Sequence, residues 1–128
     1  MAGYLLDTHT ALWYFNGDDK LSKTAFEIIN NSSIPIYLSI ASAWELSIKI
    51  NLGKMMFTGK AAGFIRLAED DDFTIFPIKT SHLTALEVLP LIHRDPFDRL
   101  LIATAIAEQM TLITTDENIQ KYEVSQIW

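Results

Sequence analysis

Short apolar runs that stop abruptly on an acid or a hydroxyl, each followed by helix-length chain, recur along this sequence. Tyr4-Leu5-Leu6 stops at Asp7-Thr8, Pro35-Ile36-Tyr37-Leu38 at Ser39, and Leu112-Ile113 at Thr114-Thr115-Asp116. A short unbroken apolar run, rather than an alternating one, is the pattern of a strand buried on both faces. Such strands need helices over both faces, and the stretches between them carry helix start and stop signals. The pattern therefore predicts an α/β protein with a mostly parallel central sheet.

The punctuation places the elements. Residues 1–7 lack a basic leader region, and an acid interrupts their apolar run, so they read as a first strand and not a signal peptide. A helix over 8–15 is stopped by Asn16-Gly17. A second starts near Ser22 as N-cap, with Leu21 placed to staple onto it, and ends at Asn30-Asn31. A strand over 35–39 leads into a helix over 40–52, with Gly53 just past its end. Thr58 is the expected cap of a fourth helix through Phe64 and Ala68. A strand over 73–78 follows, then a helix from Thr80 that stops before Pro90. Asp95-Pro96 is the strongest start signal, an N-cap acid with Pro at N1, and its helix should run to Gln109. Strands over 110–114 and 124–127 close the chain.

At 128 residues the chain fits one domain over 1–128 and can bury about two-thirds of its unfolded surface. A hydrophobic fraction of 49% excludes a disordered polypeptide. Without cysteine there is no disulfide framework and no thiolate metal site. No apolar run is long enough to span a membrane, and a cytoplasmic location is expected.

Ligands of open parallel sheets bind beyond the carboxyl ends of the strands. Asp7 and Asp116 fall on that edge by position. Glu45 follows the 35–39 strand by a few residues, in the first turn of its helix, and Asp98 sits at N3 of its own. The four acids are thus expected to share one pocket. Two carboxylates about 5 Å apart repel by roughly 3 kcal/mol at an effective dielectric near ~20, so four together call for a cation. Hard oxygen donors without Cys or a His pair suit Mg²⁺ or Mn²⁺ better than zinc. Such an ion can activate water and neutralise a scissile phosphate, which points to phosphodiesters. The formal charge of −6 runs against a broad nucleic-acid binder, although four of those six surplus charges are the pocket acids.

Each residue also has a plainer role. Asp7 could cap the helix after it. Glu45 completes a capping-box pattern, Ser42-Ala43-Trp44-Glu45, and stands four before Lys49. Asp98 is an N3 acid, Asp95 is the N-cap or an outer metal contact, and Asp116 could open an ordinary turn. Glu69-Asp70-Asp71-Asp72 reads as a solvated loop. His9, His82 and His93 lack metal-ligand spacing. Lys49, Lys54, Lys60, Arg94 and Arg99 are candidate phosphate contacts or solvated helix faces. Trp13, Trp44 and Phe97 read as core or interface aromatics.

These residues together carry a resemblance. Leu5-Leu6-Asp7-Thr8-His9 with Leu12-Trp13, Ser42-Ala43-Trp44-Glu45-Leu46 with Lys49, Gly53 and Lys54, the run from His93 to Ala103, and Thr114-Thr115-Asp116 resemble PIN-domain ribonucleases, and among them VapC-type toxins of toxin–antitoxin systems. The likeness spans essentially the whole chain, with the motifs in family order. It implies a three-layer α/β/α sandwich, Mg²⁺ or Mn²⁺ at Asp7, Glu45, Asp98 and Asp116, and endonucleolytic cleavage of RNA. It also implies a supporting hydroxyl at Thr114 or Thr115, with Thr114 preferred. Thr8 and Asp95 are outer contacts, and Lys49, Lys54, Arg94 and Arg99 are the RNA contacts to expect. A homodimer held inactive by a small antitoxin follows from the same likeness. Two rivals remain on the sequence: a phosphatase of the haloacid-dehalogenase type, which lacks its usual second acid at His9, and a non-catalytic binding scaffold.

Overall fold

The computed structural model describes residues 3–128; Met1 and Ala2, the start of the expected first strand, lie outside the described residues. Strands β1 (Tyr4–Leu6), β2 (Ile36–Ser39), β3 (Thr74–Phe76), β4 (Thr111–Ile113) and β5 (Gln126–Ile127) form one parallel sheet in the order β3-β2-β1-β4-β5. Leu5 of β1 is in register with Tyr37 of β2 on one side and Leu112 of β4 on the other. Helices α1 (Thr8–Asn16), α2 (Lys23–Asn30), α3 (Ile40–Asn51), α4 (Lys60–Asp70), α5 (Thr80–Glu87), α6 (Pro96–Glu108) and α7 (Glu117–Gln120) fill the connections.

Successive side chains of a strand point to opposite faces. Leu6, Leu38 and Ile113 accordingly pack with Ala11 of α1, Ala25 of α2, Leu46 of α3 and Phe64 of α4. Their neighbours Leu5 and Leu112 pack on the other face with Leu101 and Ile102 of α6 and Ile119 of α7. Both faces are therefore dry, which is why these strands read as unbroken apolar runs, and the fold is a three-layer α/β/α sandwich.

Caps explain the helix starts. Ser22 Oγ accepts from Ala25 N–H (3.0 Å), and Asp95 Oδ1 accepts from Phe97 N–H (2.9 Å) and Asp98 N–H (3.1 Å), with Pro96 at N1 of α6. Three expectations fail locally. Ser39, not Ser42, caps α3 through Ala41 N–H (3.0 Å), so there is no capping box at Ser42 and Glu45 lies in the second turn. Thr58 does not cap α4. Gly59 takes the N-cap position at φ 79°, and a Cβ on Gly63 would meet the Thr58 carbonyl oxygen at 2.8 Å. The loop enters over a glycine pair instead of through a side-chain bond. Residues 117–120 form a helical turn, not an open one, capped by Asp116 Oδ1 from Asn118 N–H (2.8 Å) and Ile119 N–H (3.3 Å).

Candidate active site

Sheet order decides which side chains meet. β1 is the central strand, so Asp7 leaves from the middle of the carboxyl edge. β2, on one side, runs into α3 and brings Glu45. β4, on the other side, delivers Thr114 and Asp116. Helix α6 precedes β4 and runs against it, so its first turn and Asp98 start from the same edge.

Asp7 is 4% exposed, and its Oδ2 accepts a hydrogen bond from Thr114 Oγ1 at 2.8 Å. Thr114 Oγ1 in turn accepts from Asp116 N–H at 3.1 Å, so one hydroxyl ties two of the acids together. It is Thr114, and not Thr115, that makes this link. Glu45, also 4% exposed, receives Lys49 Nζ on Oε2 at 2.8 Å. Its Oε1 is buried and has no partner among the described residues. Thr8 Oγ1 donates to Ser42 Oγ (2.8 Å), joining the first turn of α1 to α3.

The electrostatics show that these groups feel one another. The Asp98 carboxyl is pushed up to about 8, first by burial and then by the charges of Asp95, Asp7, Asp116 and Glu45. Burial also raises Asp7, with Asp116 adding to it, against the opposing Thr114 hydrogen bond and His9. The Lys49 amine is raised chiefly by its bond to Glu45, and Asp95 and Asp98 hold it there too. The charges of Asp95, Asp7, Asp116 and Glu45 thus bear on Asp98, and Lys49 is bonded to Glu45 alone among them.

That donor set fits a hard divalent cation. Carboxylate oxygens are what Mg²⁺ and Mn²⁺ prefer, and a buried carboxylate oxygen such as Glu45 Oε1 is costly when nothing donates to it. Among the described residues, Asp98 and Asp95 bring donor atoms within reach of one ion together with His93, and Asp7, Asp116 and Glu45 bear on Asp98 by charge.

The remaining sequence candidates separate. Lys54 is exposed on the turn after α3, and Arg94 is exposed in the loop before α6. The Arg99 guanidinium donates to the carbonyls of Pro90 (2.9 Å) and Leu89 (3.3 Å) and to Tyr122 Oη (3.0 Å), so it staples the 89–93 loop. His9 is exposed against Trp13, whose ring is 6.0 Å away. His82 is fully buried; its Nδ1 accepts from Lys79 N–H (3.1 Å), so Nε2 carries the proton facing Glu108 (2.8 Å). His93 is the residue that sequence spacing missed. Its Nε2 lies 3.3 Å from Asp98 Oδ2, and His93, Asp95 and Asp98 have donor atoms within 4.8 Å of one another. The only signal was the spacing His-x-Asp-x-x-Asp across a helix start. Glu69 to Asp72 are exposed at the end of α4, and Trp44, 54% exposed, packs edge-on against Phe97 at 5.0 Å. A cavity of about 440 Å³ lined by Val88, Leu89, Ile92, Ile106 and Tyr122 contains none of the four acids.

Residues 4–124 match the PIN domain. The chain belongs to the PIN domain family. No curated protein matches it in sequence. Among solved structures it is similar to VapBC2 from Rickettsia felis bound to a DNA fragment from their promoter, with a TM-score of 0.74 and 17% identity over 100% of this chain and 99% of that one. It is also similar to DNA-bound VapBC from Salmonella typhimurium (TM-score 0.68, 14% identity, 100% and 98% coverage) and to FitAcB from Neisseria gonorrhoeae (0.67, 15%, 98% and 96%). At these identities the likeness is one of fold. Membership of the PIN domain family sets aside the haloacid-dehalogenase rival. No helix among the described residues is long and apolar enough to cross a membrane.

Proposed function

We propose that this PIN domain is a Mg²⁺- or Mn²⁺-dependent endoribonuclease and the toxin of a toxin–antitoxin pair. The observation that carries the reading is that charges from three other segments, Asp7, Glu45 and Asp116, bear on Asp98, while the buried Glu45 Oε1 lacks a partner among the described residues. When bound, the divalent ion supplies charge neutralisation at the phosphate and a lowered pKa for the attacking water. The chain's own residues hold and orient. Asp7 and Asp98 are the principal ligands, and Thr114 fixes the Asp7 carboxylate through its 2.8 Å bond. Lys49 anchors Oε2 of Glu45 and leaves Oε1 without a hydrogen-bond partner among the described residues. Asp116 spends Oδ1 on capping α7, so Oδ2 is the oxygen it can offer. Lys54 and Arg94 are the exposed bases available to an RNA backbone.

Residues 1–128 act in this reading as one PIN-like domain in the cytoplasm. A cognate antitoxin is the expected protein partner, in keeping with the structural neighbours solved as VapBC and toxin–antitoxin complexes. A homodimer is expected as well. Ile40, Trp44 and Ile48 of α3 and Leu52 at its C-cap follow one another at four-residue spacing and are all exposed, which supports a second copy as the surface that covers them.

The test is incubation with total cellular RNA plus Mg²⁺ or Mn²⁺, with new 5′ ends mapped and Asp98→Ala as control. Discrete ends that need both the ion and Asp98 support the assignment. Intact RNA under every ion condition, from a folded protein, removes it and leaves a non-catalytic scaffold.

A further inference from the structure

The loop before α6 carries a nitrogen donor to the edge of the acidic site. His93 Nε2 is 3.3 Å from Asp98 Oδ2, and Asp95 brings a carboxylate oxygen into the same group, all three donors lying within 4.8 Å of one another. Two ligands held about 2.1 Å from one ion at right angles are roughly 3 Å apart, so the His93–Asp98 separation is one that a shared ion accepts.

The ring is held there by its backbone. His93 N–H donates to Tyr122 Oη at 2.8 Å, and the His93 carbonyl accepts from Tyr122 Oη (3.4 Å) and Arg99 Nη1 (3.5 Å). Asp95 is fixed by capping α6 through Oδ1, which leaves Oδ2 unspent on the cap. A further acid whose charge bears on Asp98 is short of a hydrogen-bond partner. The Glu45 side chain is 5% exposed, its Oε1 has no partner among the described residues, and its charge bears on Asp98. Lys49, the nearby amine, is engaged with the other oxygen of Glu45.

We propose that His93 is a direct nitrogen ligand of the cation held by Asp98, with Asp95 beside it, and that this imidazole tilts the site toward Mn²⁺ over Mg²⁺. The inference rests on the metal-dependent reading above. Mg²⁺ demands oxygen donors in a near-ideal octahedron, whereas a first-row transition ion accepts imidazole readily. Without an ion, the same pair is an ordinary His–Asp contact, and the experiment separates the two cases.

Electron spin echo spectra of the full chain loaded with Mn²⁺ read imidazole ligation directly, independent of RNA cleavage. The wild-type protein is expected to show nitrogen coupling. His93→Gln should lose it, bind Mn²⁺ roughly tenfold more weakly, and change its Mg²⁺ affinity by less than about twofold. Gln keeps the backbone bonds to Tyr122 and Arg99, so the loop survives. His9→Gln, altering the exposed ring two residues after Asp7, should retain the coupling. Absence of nitrogen coupling in Mn²⁺-loaded wild type, or unchanged coupling and Mn²⁺ affinity in His93→Gln, overturns the His93 assignment and leaves the metal-dependent nuclease standing. Failure of the wild type to take up Mn²⁺ or Mg²⁺ at all overturns both.

Discussion

Asp98→Asn should make the metal-free protein more stable, and only away from acid pH. The Asp98 carboxyl is pushed up to about 8 from an ordinary 3.8, by burial first and then by Asp95, Asp7, Asp116 and Glu45. Between those two values the folded state holds a proton that the unfolded state has released. Stability therefore falls as pH rises from about 4 to about 8. At pH 7 the mismatch is about 3 units, worth about 4 kcal/mol unscreened. Partial solvent exposure of Asp98 reduces this to about 2 kcal/mol. Asparagine has no proton to hold and escapes the whole penalty, which for a chain of this length raises the melting temperature by roughly 8 °C. The assay is a set of thermal melts in chelator from pH 4.5 to 8, wild type against Asp98→Asn. The gap should open with pH and close near pH 4.5. Saturating Mn²⁺ should reverse the order, because only the wild type keeps the full ligand set. A variant that melts at or below wild type at pH 7 in chelator, or a gap that ignores pH, would refute the reasoning that these acids strain one another.

Two further outcomes follow from the supporting contacts. Arg99→Lys cannot reproduce the fork that reaches Leu89, Pro90 and Tyr122, and should cost about 1–3 kcal/mol in denaturant melts; an unchanged midpoint would show that this fork does not hold the loop. Thr114→Val strips the donor from Asp7 and the acceptor from Asp116 N–H, costing about 1–3 kcal/mol. It should also raise the Asp7 carboxyl further, so the acid limb of any cleavage profile moves to higher pH; a limb that stays in place would show that Thr114 does not tune Asp7.

What the sequence could disclose depended on whether the deciding interaction was local. Asp95-Pro96 was legible because the cap and the fixed proline φ act within a few residues, and α6 begins there. The three-layer order was legible because strands buried on both faces leave unbroken apolar runs at Leu5-Leu6 and Leu112-Ile113. The expectation that Asp7, Glu45, Asp98 and Asp116 share one edge rested on the parallel topology alone. Thr58 misled because the glycine at 59 supplies a left-handed turn that needs no side-chain cap. Residues 117–120 are too few to show helical periodicity. Arg99 and His93 escaped because their partners, the 89–93 carbonyls, Tyr122 and Asp98, meet only after the loop folds back on α6.

The most direct measurement pairs wild type with Asp7→Asn on a defined, end-labelled RNA in Mn²⁺. Asparagine preserves the shape and the Thr114 contact at a site that is 4% exposed, so circular dichroism and melting should show an intact fold. The account predicts discrete cleavage by the wild type, abolished by chelator, and none by the variant. Full cleavage by a folded Asp7→Asn protein would contradict it.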